Sequence, residues 1–330
     1  MNLTRRGYAV VALVVVGEVF ALAFGAQALN AIVAPVLVAL LGAVVQVHRA
    51  DEPTVDRSAV SPGFPGDTRE VSVVADGRGV ATLADGAADG LVAEGASDET
   101  TLPTELGYTV TLAERGRHKL GPLAVTVSDV LGLVERRFDT RVTTNVLVYP
   151  SVHQLAGRER ILEKVLDRDA VERQEFDALR EYVPGDPLRD VHWKSTAKDP
   201  EEMYVTEFAD RRIEDSVVIA ASCESGYADE MATAAASLAV MALDVDVAVE
   251  VRAPSGRVPV GSGIDHRDEV LKLLALTRAG RPAGDATDDV DLQVHADAGG
   301  VTLSVGTTTH TIEELTVSRA NPLADREVTG

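Results

Sequence analysis

The densest concentration of chemically capable side chains lies between Leu179 and Phe208, in the stretch LREYVPGDPLRDVHWKSTAKDPEEMYVTEF. Arg180, Glu181, Tyr182, Gly185, Asp186, Arg189, His192, Trp193 and Lys194 fall within fifteen positions, and Trp193 is the only tryptophan of the chain. Two chemistries suit these residue types. His192 could act as a general base oriented by Asp186 or Asp190, with Arg189 and Lys194 holding an anion. Alternatively, Arg180, Glu181, Asp186, Arg189 and His192 could form a hydrogen-bonded ionic network around Trp193, since buried charges persist only when paired. No nucleophile or substrate is fixed by the segment, so the second reading is favoured.

Local signals say what must position these groups. Asp186 can cap the free amides of a helix that Pro187 opens, and the helix is expected to run to Lys198, where Asp199-Pro200 ends it. Met203 to Phe208 reads as a strand. Upstream, the charged stretch 157–178 places Ile161, Leu162, Val165 and Leu166 at helical spacing, as a linking helix would.

The rest of the composition bounds partners and compartment. The 330 residues carry 31 basic and 52 acidic side chains, a formal net charge of −21, and only five lysines. Such a surface repels phosphate backbones, so no nucleic-acid partner is expected. Acidic excess with few lysines suits solubility in concentrated salt and points to a halophilic source. The lone Cys223 excludes an internal disulfide. Five other histidines, His118, His153, His266, His295 and His310, are scattered without ligand spacing and read as exposed or satisfied.

From Tyr8 to Val47 the only charged residue is Glu18. The run breaks near Gly25, Gln27 and Asn30, giving two spans near the lower length limit for crossing a bilayer. Arg5 and Arg6 precede the first and His48 and Arg49 follow the second, so a multi-pass protein of two helices with its soluble domains in the cytoplasm is expected. A competing reading takes Arg5-Arg6 as the start of a twin-arginine signal cleaved after Ala26-Gln27-Ala28, which would export the remainder.

Beyond the spans, short Val- and Thr-rich segments separated by Gly and Asp suggest an antiparallel sandwich. After Ser216, an apolar run, an alanine-rich helix over 228–243, an alternating strand and a further helix argue for an open α/β sheet. Ala298-Gly299-Gly300 marks a hairpin, and the acidic run 285–291 reads as a solvated loop. The expected architecture is α+β and multidomain: a transmembrane hairpin over 1–49, a linker over 50–66, a β-rich sandwich-like domain over 67–152, a linking helix with the charged segment over 153–213, and an α/β domain with a carboxy-terminal hairpin over 214–330.

The ordered pattern Arg180-Glu181-Tyr182, Gly185-Asp186, Arg189, His192-Trp193-Lys194 and Ala197 resembles the signature of DUF58 proteins. Arg115 to Arg137 and Leu147 to Val152 resemble the stretch that precedes it. The resemblance implies a von Willebrand A-like fold for the α/β domain and a MoxR-type AAA+ ATPase as partner. Domains of that fold commonly hold Mg²⁺ through Asp-x-Ser-x-Ser at the end of the first strand. Here alanine stands at the aspartate position, so Ser222, Glu224 and Ser225 form at most a degenerate site, and neither metal nor other cofactor is expected. The favoured function is a membrane-anchored scaffold or assembly protein that docks its partner through the signature. The alternatives are a metal-assisted hydrolase using His192 and Asp186, and an exported surface adhesion module.

Overall fold

The computed structural model describes residues 1–24, 27–156, 178–181, 204–207, 216–282 and 290–323, and its chain divides into two compact units, Met1–Tyr149 and Pro150–Gly330. In the first, a short strand β1 (Asn2–Leu3) leads into helix α1 (Arg5–Phe24), followed by α2 (Gln27–His48). Both helices are long and apolar enough to cross a membrane. Their outward faces stay uncovered: Leu13, Val16, Val19, Leu22, Ile32, Val38 and Leu41 are all exposed, as expected of lipid-facing positions.

The base of this hairpin is tied to a β-domain. That domain comprises β2 (Thr54–Arg57), β3 (Thr68–Ala87), β4 (Leu91–Glu94), β5 (Ser97–Leu112), β6 (Gly116–Ser128), β7 (Val134–Asp139) and β8 (Thr144–Val148). β1 pairs antiparallel with β7, and Leu3, Val10, Leu40, Ala43 and Val47 pack with Leu133 and Val134 of the β6–β7 turn. Thr4 caps α1 through its hydroxyl, which accepts from the Gly7 amide at 3.1 Å and donates to the Gly132 carbonyl at 2.6 Å. Glycine is required at position 7 because a Cβ there would stand 2.1 Å from the Leu133 carbonyl oxygen.

In the β-rich, sandwich-like domain that was expected, hydrogen bonding runs through one curled antiparallel sheet of eight strands. The reason is the length of β3. It pairs along both halves with β5, while β2 and then β6 occupy successive parts of its other edge. The sequence Asp76-Gly77-Arg78-Gly79, which looks like a turn, is a register shift inside this strand, with Gly79 at φ +101°. Residues 54–57, placed in a linker by the sequence reading, are strand β2, and Phe64 is buried. Alternating side chains, among them Val71, Val73, Leu83, Val110, Leu112, Leu120 and Val125, fill the core.

One ionic cluster sits inside this unit. The Arg57 and Asp85 side chains are 0% exposed and pair at 2.6 Å. Arg57 Nη1 donates to the Leu120 and Val142 carbonyls at 3.0 and 3.2 Å, and Tyr108 donates its phenolic proton to Asp85. Burial first, then the bond to Asp85, pushes the Tyr108 phenol well above its ordinary value. A raised folded-state value contributes stability below the unfolded phenol value of about 10 and loses it as pH rises through the folded one. Folded chain at pH 11 is therefore expected to show fewer ionised phenols by 295 nm absorbance than denatured chain, and Tyr108→Phe to shrink that deficit by one; an unchanged deficit would contradict the assignment.

In the second unit, β9 (Gln154–Leu155) pairs with a late strand, and β10 (Ala178–Glu181) pairs antiparallel with β11 (Tyr204–Glu207). A six-stranded mixed sheet follows from β12 (Ser216–Cys223), β13 (Ala248–Ala253), β14 (Gly256–Gly261), β15 (Leu292–Asp297), β16 (Gly300–Val305) and β17 (Thr308–Thr311), in the order β14-β13-β12-β15-β16-β17. The three central strands are parallel, and the expected hairpin at Gly299-Gly300 joins this same sheet. Gly300 sits at φ +108°, a conformation that side chains resist. Helices α3 (Ala228–Leu243) and α4 (Ile264–Leu276) follow β12 and β14, then a single turn α5 (Ile312–Leu315) and β18 (Thr316–Ser318). α3 presents fully buried Met231, Ala232, Ala235, Leu238 and Ala239, and Val217, Ile219 and Ala221 of β12 are buried likewise.

Candidate functional site

Of the nine signature residues, Arg180 and Glu181 fall in the described backbone, at the end of β10 opposite Val205 and Tyr204. The strand expected from Met203 is found as β11, so a two-stranded ladder frames the segment. Tyr182, Gly185, Asp186, Arg189, His192, Trp193 and Lys194 lie outside the described residues, as do the helix expected over 187–198 and the one expected over 157–178 except for Ala178, which opens strand β10.

The second sequence-derived position, the end of β12, is described in full. Alternate burial along the strand sends Val217, Ile219, Ala221 and Cys223 into the core and leaves Val218, Ala220 and Ser222 half-buried on the opposite face. Parallel pairing sets Ser222 opposite His295 of β15. Ser222 Oγ lies 2.9 Å from His295 Nδ1 and 3.3 Å from the Val294 carbonyl. His295 Nε2 stands 3.7 Å from Asp297 Oδ2, while Asp297 Oδ1 accepts the Gly299 amide at 2.7 Å. Glu224 and Ser225, the other members of the degenerate site, are exposed in the turn that follows, the Glu224 amide donating to the Ala296 carbonyl at 2.9 Å. Among the described residues, no three His, Cys, Asp or Glu side chains converge as a metal site would need.

The Ser222–His295 contact was missed by sequence reasoning. His295 was grouped with the scattered histidines because its partner lies 73 positions away on another strand. Two other members of that group are satisfied as expected: His118 Nε2 meets the Glu114 carbonyl and His266 Nε2 the Val249 carbonyl, each at 2.7 Å. Asp291, at the end of the acidic run, accepts the Val218 amide at 2.8 Å and so fastens β15 to β12. Elsewhere in this unit a groove of about 700 Å³ is lined by Ser151, His153, Asp229, Glu230, Ser237 and Arg319, among others. Burial, helped by Arg319, holds the His153 imidazole below its usual value, so at neutral pH it is uncharged.

Residues 178–300 match the family model described as "Protein of unknown function DUF58". Over 203 residues the chain is 22% identical to "Uncharacterized protein YeaD" of Bacillus subtilis (strain 168), an alignment covering 59% of this chain and 50% of that protein. The chain thus spans about half the length of the curated relative it matches. Among solved structures, the PKD domain of a peptidase from a Thermoplasmatales archaeon aligns at 17% identity, over 30% of this chain and 97% of that one, with a TM-score of 0.23. The E. coli chaperone DraB aligns at 9% identity, over 40% and 66%, with a TM-score of 0.21. Scores this low carry no argument about the fold. What the comparisons establish is that the portion from β10 to the start of β16 resembles the DUF58 family and that the chain resembles an uncharacterised bacterial protein.

Proposed function

We propose that this chain is a membrane-anchored DUF58 protein that holds its β-domain against the bilayer and docks a partner through the segment from Arg180 to Lys194. The observation that carries the reading is the seating of the apolar hairpin. The helices expose aliphatic side chains along their length, yet their base is fixed to the β6–β7 turn by β1, by Thr4 and by the contacts of Leu3, Val10 and Val47. A signal peptide cleaved near Ala28 would remove β1 and α1 and with them part of this packed unit, so the seating supports retention of the hairpin. Arg5, Arg6, His48 and Arg49 then favour the cytoplasmic side for both soluble units.

For the second unit we favour a von Willebrand A-like sheet. Three parallel central strands, an antiparallel edge strand β14 and crossover helices after β12 and β14 support that reading. The family resemblance favours a MoxR-type AAA+ ATPase as partner. Affinity capture of the tagged chain from solubilised native membranes is expected to recover such an ATPase. Arg189→Ala and His192→Ala should each lower the recovery at least about tenfold, the effect of losing roughly 1.4 kcal/mol of binding, with an unchanged circular dichroism spectrum. Undiminished recovery in both variants would remove the signature from the interface.

A further inference from the structure

Ser222 and His295 occupy a distinctive place in the sheet. From β12 the chain passes through α3 to β13 on one side, then returns through α4 to β15 on the other. The gap between the carboxyl ends of β12 and β15 is therefore the topological switch point, where open α/β sheets place their ligands. Ser222 and His295 are register partners across this gap. Both lie on the sheet face opposite the buried side chains of β12, and both are partly open to solvent, His295 with 38% of its side chain exposed. The strands, not a loop, fix the 2.9 Å separation of Oγ and Nδ1.

We propose that Ser222 is a nucleophile for acyl transfer from carboxylic esters, with His295 as its general base and Asp297 as the electrostatic partner of the imidazolium. As Oγ attacks the ester carbonyl carbon, its proton passes to Nδ1 of neutral His295. The positive ring then lies with Nε2 3.7 Å from the Asp297 carboxylate. Collapse of the tetrahedral adduct breaks the bond to the alcohol oxygen, which takes the proton from Nδ1, leaving an acyl-serine. A water molecule attacks that acyl carbon, again passing its proton to His295. As the bond to Oγ breaks, Oγ takes that proton, regenerating Ser222 and releasing the carboxylic acid. Nothing in these steps needs a metal or a redox partner. The competing hydrogen-bond arrangement sends the Ser222 proton to the Val294 carbonyl, but at 3.3 Å that contact is longer than the one to Nδ1.

The test uses the full-length chain in detergent with p-nitrophenyl acetate as the acyl donor. The expected results are a burst of p-nitrophenolate and an acetyl group on the peptide containing Ser222, located by mass spectrometry. Ser222→Ala should lose that adduct, while Ser222→Cys should keep acylation at this position even if the alanine variant folds poorly. His295→Ala should slow Ser222 acylation by about 10²- to 10⁴-fold. Acetyl groups confined to lysines, or Ser222 acylated equally fast without His295, would overturn the proposal.

Discussion

Replacing Asp85 with leucine is expected to loosen the β-domain more than any other single change considered. Asp85 and Arg57 are both fully buried, and the carboxylate also receives the Tyr108 hydroxyl. Removing it leaves a guanidinium in a low-dielectric interior without its charge partner, facing neutral groups such as the Leu120 and Val142 carbonyls. Breaking a buried pair from one side costs about 3–5 kcal/mol. Amide hydrogen exchange in β3 and β6, followed by mass spectrometry on the detergent-solubilised chain, should accelerate by roughly 10²- to 10⁴-fold. The double variant Arg57→Met with Asp85→Leu puts apolar groups at both positions and should return exchange to within about tenfold of wild type. A double variant as labile as the single one would show that packing around the pair, not its charge, holds these strands together.

That cluster also shows where sequence reading stops. The apolar run 8–47, the glycine-punctuated strands and the alternation after Ser216 each follow from local chemistry, and α3 appears over the very residues its alanines suggest. Arg57 sits in a stretch whose prolines and mixed charge read as a solvated linker, and nothing nearby reveals that its carboxylate partner waits 28 positions on. Asp76-Gly77-Arg78-Gly79 has turn composition, whereas the pairing of β3 with β5 carries the strand through it as a bulge. Ser222 and His295 are juxtaposed only by parallel pairing across the switch point. In each case the missing information is tertiary register. The charged signature itself was legible as a motif, and so was the strand β11 after it; β10, which begins at Ala178 where the linking helix was expected to end, carried no local signal.

The second large effect is expected at Asp129, in the turn that seats the apolar hairpin. Its carboxylate is 2% exposed and accepts three backbone amides: Leu131 at 2.8 Å, and Leu133 and Val134 at 2.7 Å each. This holds the β6–β7 turn in the shape that receives the Thr4 hydroxyl and amide and packs Leu133 against the bases of α1 and α2. Asp129→Ala strands two buried amides at about 1–3 kcal/mol each, so a loss of roughly 3 kcal/mol and an acceleration of exchange of about 10²-fold at Leu133 and Val134 should follow. Because the turn and the start of α1 share hydrogen bonds, the amides of Thr4 and Gly7 should accelerate with them. Gly7→Leu attacks the same joint from the helix side, forcing a Cβ into the Leu133 carbonyl, and should reproduce the pattern. Faster exchange confined to 131–134, with the beginning of α1 unchanged, would mean that the turn does not hold the hairpin and that the two are seated independently.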